Sequence, residues 1–155
     1  WNSVDVSTFD ALLLAGGHAP GMKQYLGRER VQAITREFFA AGEPVAAICH
    51  GVLVAARSGA LSGRRTTCLP KYMERSAYLS TFWRRGRYYR TYPAYVEDEV
   101  TASGVTFERG PKVLFARGTR EDDRPAFVVE DGTDVSARGP GEAYLFAKKF
   151  AERLK

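Results

Sequence analysis

The sequence predicts an α/β fold, a doubly wound and mostly parallel sheet of the flavodoxin-like sandwich type, and three observations carry that prediction. Short, wholly apolar runs alternate with amphipathic stretches of helical period. Two of those runs end abruptly in small residues, at Gly16-Gly17 and at Cys49-His50-Gly51. Late in the chain, two β-prone arms flank an Asp-Gly pair, the mark of a hairpin.

The alternation starts at Phe9–Ala15, a compact apolar run that reads as a strand buried on both faces and closed by a tight turn. Such a strand needs sheet neighbours on each side, so part of the sheet is expected to precede Trp1. From Gly21 to Ala41 the apolar residues Met22, Leu26, Val31, Ile34, Phe38 and Phe39 recur mostly at three- and four-residue steps. The helix they predict has a first turn broken at Gly27 and a stop at Gly42. Pro44 opens a second strand, Val45–Ile48, and Val52–Arg57 continues as a helix of small apolar residues with Gly59 and Gly63 bracketing its exit. Strand, helix, strand, helix in this order is the pattern of right-handed parallel crossovers.

Further along, Arg65–Leu69 is a short β-prone stretch stopped by Pro70, and Lys71–Trp83 resumes a helical pattern with Tyr72, Leu79, Phe82 and Trp83 available to one side. A short acidic helix over Ala94–Ala102 follows, then strand candidates at Val105–Glu108 and 112–116. Ala126–Ala137 forms the hairpin. The terminal helix Glu142–Leu154 carries an apolar stripe of Ala143, Phe146, Ala147, Phe150 and Leu154. With 155 residues and no linker, repeat or low-complexity tract, residues 1–155 read as a single domain.

Composition narrows the function. No apolar stretch reaches the roughly 18 residues of a membrane span, and no signal-peptide pattern occurs, so a soluble, cytoplasmic protein is expected. The two cysteines then read as free thiols. The formal charge of +5 is scattered except at Arg84–Arg90, where arginines interleave with tyrosines. Nucleic-acid binding is a minor alternative there to a solvated helix end.

The turn at Cys49 is where chemistry is expected. A side chain between a buried strand and a helix start is exposed at the sheet's carboxyl edge and faces free backbone N–H groups, which favour a thiolate. A buried neutral cysteine is the competing reading, since free cysteine is among the most buried residue types. Cys68 reads as a small apolar strand residue. Of the two histidines, His50 can turn back beside the thiol as its base, and His18 lies on the same sheet edge after the first strand. The backbone of His50 and of Gly16-Gly17 can supply oxyanion donors, and Glu74, just past the third strand, is a candidate acid.

Three motifs in order, Ala47-Ile48-Cys49-His50-Gly51, Gly16-Gly17-His18-Ala19-Pro20-Gly21 and Ser136-Ala137-Arg138-Gly139-Pro140-Gly141, resemble the landmarks of the ThiJ/PfpI superfamily. That group includes the parkinsonism-associated deglycase, archaeal intracellular peptidases and heat-shock chaperones with glyoxalase activity. The similarity runs from about Phe9 to Lys155. Leu69–Glu74 is similar to the acid-bearing segment of the chaperone-glyoxalase branch, in which the histidine directly follows the cysteine.

The resemblance implies Cys49 as nucleophile, His50 as base or acid, Glu74 as the residue orienting it, and Gly16, Gly17 and His18 at the oxyanion and substrate site. It implies a small electrophilic carbonyl substrate, a 2-oxoaldehyde, a glycated adduct or a small amide or peptide, and commonly a homodimer. Roughly the first third of the family's usual sheet, with its upstream glutamate and the chaperone branch's metal ligands, has no counterpart in this sequence, so no metal or other cofactor is expected. The absence of any histidine after His50 excludes the standard glutamine-amidotransferase triad. A non-enzymatic stress chaperone or cysteine redox sensor on the same fold is the alternative function. An activated thiolate predicts selective alkylation of Cys49 near neutral pH, slowed by His50→Ala or Glu74→Ala.

Overall fold

The computed structural model describes residues 3–90, 92–113 and 117–154. After a 3-10 turn at Val6–Thr8, the elements run β1 (Leu12–Leu14), α1 (Met22–Gly27), α2 (Glu29–Ala41), β2 (Val45–Ile48), α3 (Val52–Arg57), β3 (Arg65–Thr66), α4 (Lys71–Leu79), α5 (Phe82–Arg85), α6 (Val96–Ala102), β4 (Thr106–Phe107), β5 (Val128–Asp131), β6 (Asp134–Ala137) and α7 (Ala143–Glu152). Four strands form the main sheet in the order β1-β2-β6-β5, with β1, β2 and β6 parallel and β5 antiparallel to β6. β3 and β4 pair in parallel as a separate two-stranded ladder. The mixed α/β architecture with a mostly parallel sheet is the one the alternation predicts.

Local chemistry explains the early elements. The chain leaves α1 at Arg28 in an extended conformation and restarts as α2, so the predicted break falls one residue past Gly27. Gly42 ends α2 with φ +75°, where its N–H caps the last turn, a left-handed geometry that costs glycine little. The hairpin turns over two residues, Gly132 and Thr133, with φ +61° at the glycine.

The two sheet faces are covered unequally. Leu14, Val45 and Ala47 pack under α2 and α3 in the larger core, with Val31, Ile34, Phe38, Leu53 and Val100. The other face holds a smaller cluster of Ala46, Val135, Ala137 and Phe146 beneath α7. Leu13 lies opposite Ala46 in register, one strand beyond the reach of that helix, and is 50% exposed. The strand predicted over Phe9–Ala15 is therefore shorter than read and an edge strand among the described residues, with a single face packed.

Other readings also shift. Leu79, Phe82 and Trp83 are exposed rather than core-facing, because the helix read as continuous breaks at Ser80-Thr81 and α5 turns outward. On α7, Phe146 is buried and Phe150 half-buried, while Ala143 and Ala147, and Leu154 just past its end, face solvent, so the packed stripe is narrower than read. Cys68 is fully buried just beyond β3. The strand read at 112–116 lies largely outside the described residues. No helix among the described residues is long and apolar enough to cross a membrane.

Candidate active site

Everything at the carboxyl edge of the sheet converges on Cys49. It follows β2 directly and opens a 3-10 turn, Cys49–Gly51, that leads into α3. It is the only non-glycine residue with positive φ among those described, at +59°. A side chain held there costs about 1–3 kcal/mol and persists only where surrounding structure enforces it. Two glycines do the enforcing. A Cβ on Gly51 would lie 2.1 Å from the Leu14 carbonyl oxygen, and one on Gly16 would lie 2.6 Å from the Ile48 carbonyl oxygen, 2.7 Å from Cys49 Cβ and 2.9 Å from His50 N. The end of β1 thus presses on the elbow without any intervening side chain.

Cys49 Sγ is 3.4 Å from Nδ1 of His50, so the thiol and imidazole form the contact that the sequence predicts. His50 is completely buried, packed edge-on by His18 at 4.4 Å between ring centroids and by the tilted ring of Tyr92 at 4.9 Å. The Nε2 atoms of both histidines are buried without a hydrogen-bond partner among the described residues. Above the thiol lies a cavity of about 450 Å³, with Gly16, Gly17, His18 and Cys49 in its wall together with Tyr88, Tyr89 and Pro140. Gly16, Gly17 and His18 are therefore brought to the thiol as read.

Glu74 takes a different place from the one expected of an orienting acid. It is 1% exposed, but its oxygens accept from Arg90 Nη1 at 3.2 Å and from the Val96 backbone N–H at 3.2 Å, not from His50. Its charge nevertheless reaches the thiol. Burial pushes the Cys49 thiol up to about 12, with Glu74 and Glu142 adding in the same direction and the His50 backbone N–H opposing them. Burial, with His18 beside it, pulls His50 down to about 3. Both shifts favour a neutral thiol against a neutral imidazole, the opposite direction from the low thiol pKa expected of the helix start. α3 is only six residues long, and desolvation outweighs its dipole.

Three participants are not individually legible in the sequence, although the loop Tyr78–Tyr92, rich in aromatics and arginine, is there a candidate to shape or cover the pocket. Tyr92 and Arg90 come from a loop with no periodic signal and reach the site through tertiary packing. Arg138 is buried in an ion pair with Glu142, donates to the Arg109 and Pro111 carbonyls, and fixes the Gly139–Glu142 segment that carries Pro140 to the cavity. Its presence in the Ser136–Gly141 motif was the available signal. No group of three or more His, Cys, Asp or Glu side chains suited to a metal ion occurs among the described residues.

A strained cysteine elbow at the carboxyl edge of a parallel sheet, with a histidine on its sulfur, defines an α/β protein of the cysteine-elbow class. The particular family follows from comparison: the DJ-1/PfpI family profile matches residues 1–153, and the chain belongs to that family. A deglycase of Pyrococcus abyssi is 30% identical over 155 residues, covering all of this chain and 68% of that protein. Among solved structures, the rapid encystment protein of Francisella tularensis superposes with a TM-score of 0.76 at 19% identity, over 99% of this chain and 62% of that one. Glyoxalase III of Candida albicans gives 0.73 at 18% identity, over 99% and 61%. The chain thus spans about two-thirds of the length of these proteins.

Proposed function

We propose that this chain carries the thiol site of a deglycase- or glyoxalase-type enzyme acting on a small electrophilic carbonyl, with Cys49 as nucleophile and His50 as the group that moves its proton. The observation that carries the reading is the Cys49–His50 contact held in a strained elbow beneath a cavity walled by Gly16, Gly17, His18 and Tyr89. Strain of this kind is kept where it aims a side chain at a ligand. The deglycase similarity of the Pyrococcus protein supports the substrate class.

For a 2-oxoaldehyde, the sulfur bonds to the aldehyde carbon while the thiol proton passes through His50 to the carbonyl oxygen, giving a hemithioacetal. The C1 hydrogen then leaves as a proton and one returns at C2, which converts the adduct to a thioester without any external oxidant. Water cleaves the thioester to a 2-hydroxy acid and restores the thiol. A neutral His50 is suited to the first step because it is unprotonated at working pH and already touches the sulfur. The backbone N–H of His50 and the Gly16-Gly17 segment take the developing oxyanion, and His18 contacts the substrate. Glu74 acts through Arg90 and the loop bearing Tyr92.

Conversion of methylglyoxal to lactate tests the reading. Turnover is expected to vanish in Cys49→Ser and to fall by about 10²-fold or more in His50→Ala. Undiminished turnover in Cys49→Ser would reject it.

A further inference from the structure

A second, larger cleft of about 800 Å³ adjoins the thiol cavity, and its wall is basic: Lys23, Arg85, Arg87 and Arg90 line it with Tyr88 and Tyr92, and no carboxylate does. The two cavities share Tyr88, and Tyr92 packs on the His50 ring, so the cleft opens beside the reacting atoms rather than elsewhere on the surface. Arg90 is held by Glu74 and the Pro93 carbonyl. The Lys23 ammonium and the Arg85 guanidinium make no ion pair with a carboxylate among the described residues, and Arg85 lies over the Tyr88 ring at 5.9 Å. The basic and aromatic run noted at Arg84–Arg90 is thereby explained only in part by packing.

We propose that this cleft binds the phosphomonoester end of the substrate whose carbonyl reaches Cys49, an inference that rests on the carbonyl chemistry proposed above. Cations gathered in a concave wall focus positive potential at one point, and a phosphomonoester carrying nearly two negative charges at neutral pH answers it better than a single carboxylate. Arginine supplies the planar fork that matches phosphate oxygens, and lysine adds a point charge from α1 on the facing side. Tyr88 separates the two compartments and sets which atoms of the ligand go to which side. A small phosphorylated 2-oxoaldehyde places its anion in the cleft and its aldehyde carbon at the thiol. A nucleic-acid strand is the less favoured occupant, because the cleft shares Tyr88 with the thiol cavity, which ties it to the reacting end of a small ligand.

Phenyl phosphate is the probe, with benzyl alcohol as its uncharged counterpart, and binding is measured by calorimetry on the whole chain at low and moderate salt. Phenyl phosphate is expected to bind and benzyl alcohol not to. Lys23→Ala and Arg85→Ala are each expected to weaken phenyl phosphate about tenfold, the double variant about a hundredfold, and added salt to act in the same direction. Both positions are exposed, so the fold is retained. Cys49→Ser is expected to keep phenyl phosphate affinity while losing turnover, which separates the two proposals. Phenyl phosphate binding with no turnover of either methylglyoxal or a phosphorylated 2-oxoaldehyde supports an anion cleft and sinks the carbonyl chemistry. Turnover with no phenyl phosphate binding, or binding indifferent to both substitutions, overturns the cleft assignment. Tight oligonucleotide binding in the absence of phenyl phosphate binding overturns it in favour of nucleic acid.

Discussion

The β2–β6 ladder buries ionisable groups at both of its ends, and the two ends are built differently. Its carboxyl end, where Ile48 pairs with Ala137, leads into Cys49 and His50. Its amino end, where Val45 pairs with Asp134, buries a carboxyl group that is 2% exposed. Burial moves the groups at both ends toward neutrality, raising Cys49 to about 12, lowering His50 to about 3 and raising Asp134 to about 7. Both ends also leave a buried polar atom unpartnered, Nε2 of His50 and Oδ1 of Asp134. Only the carboxyl end adds positive φ at a non-glycine residue, glycine clearances below van der Waals contact and an adjoining cavity. A shifted ionisation by itself therefore marks burial, whereas strain plus space marks a site.

The largest effect should come from filling the clearance that only the carboxyl end possesses. Gly51→Ala forces a methyl group against the Leu14 backbone, which neither a rotamer nor a flexible side chain can relieve. A loss of about 5 kcal/mol or more is expected in denaturant melts, enough to unfold a chain of ordinary stability. A near-neutral result would mean that the β1 end and the elbow do not press together as described.

The amino end should show its own signature in the pH dependence of stability. Folded Asp134 holds its proton up to about pH 7, against 3.8 for the free side chain, with Arg64 pulling the value down and burial, aided by Asp131, pushing it up. Between those values the folded state binds more protons than the unfolded one, so stability falls as pH rises and the loss is complete above the folded value. The shift corresponds to up to about 4 kcal/mol. Asp134→Asn should flatten the stability profile between pH 4 and 8. Any constant cost of the amide cancels in that slope, and an unchanged slope would show that another group carries it.

Legibility in the sequence follows the range of the interactions involved. The turn at Cys49, the stop at Gly42, the break near Gly27 and the Gly132 hairpin all depend on the few residues around them, and the sequence shows each. Whether an apolar residue is covered depends on what packs there from elsewhere. Leu13 and Trp83 look like core residues in sequence and are exposed, while Asp134 and Glu74 look like surface carboxylates and are buried. The same limit governs the site. Cys49 and His50 are neighbours in the chain and were read together, whereas the partnership of Glu74 with Arg90 and Val96 spans 16 and 22 residues and could not be seen.

Alkylation by iodoacetamide separates the two readings of Cys49. With burial holding the thiol near 12, the folded protein at pH 8 should react at least about a hundredfold more slowly than the denatured chain, with the rate still rising at pH 9 and above. Cys68, fully buried and also raised, serves as the internal control. Rapid labelling of Cys49 alone near pH 7 would restore the activated thiolate that the sequence suggested.

The smallest effect is the most discriminating for Glu74, because two roles predict opposite signs. An acid that orients His50 would help the imidazole draw the thiol proton, so its removal would slow alkylation. In the structure the carboxylate sits on Arg90 and Val96 and acts on the sulfur only as a nearby negative charge that disfavours the thiolate. Glu74→Gln keeps the shape, allows the amide oxygen to accept from Val96 and removes that charge. The alkylation rate of Cys49 at pH 9 should therefore rise about two- to threefold, after correction for any change in global stability measured on the same sample. A fall of similar size would return Glu74 to the catalytic dyad as its third member, through a rearrangement that brings its carboxylate onto His50.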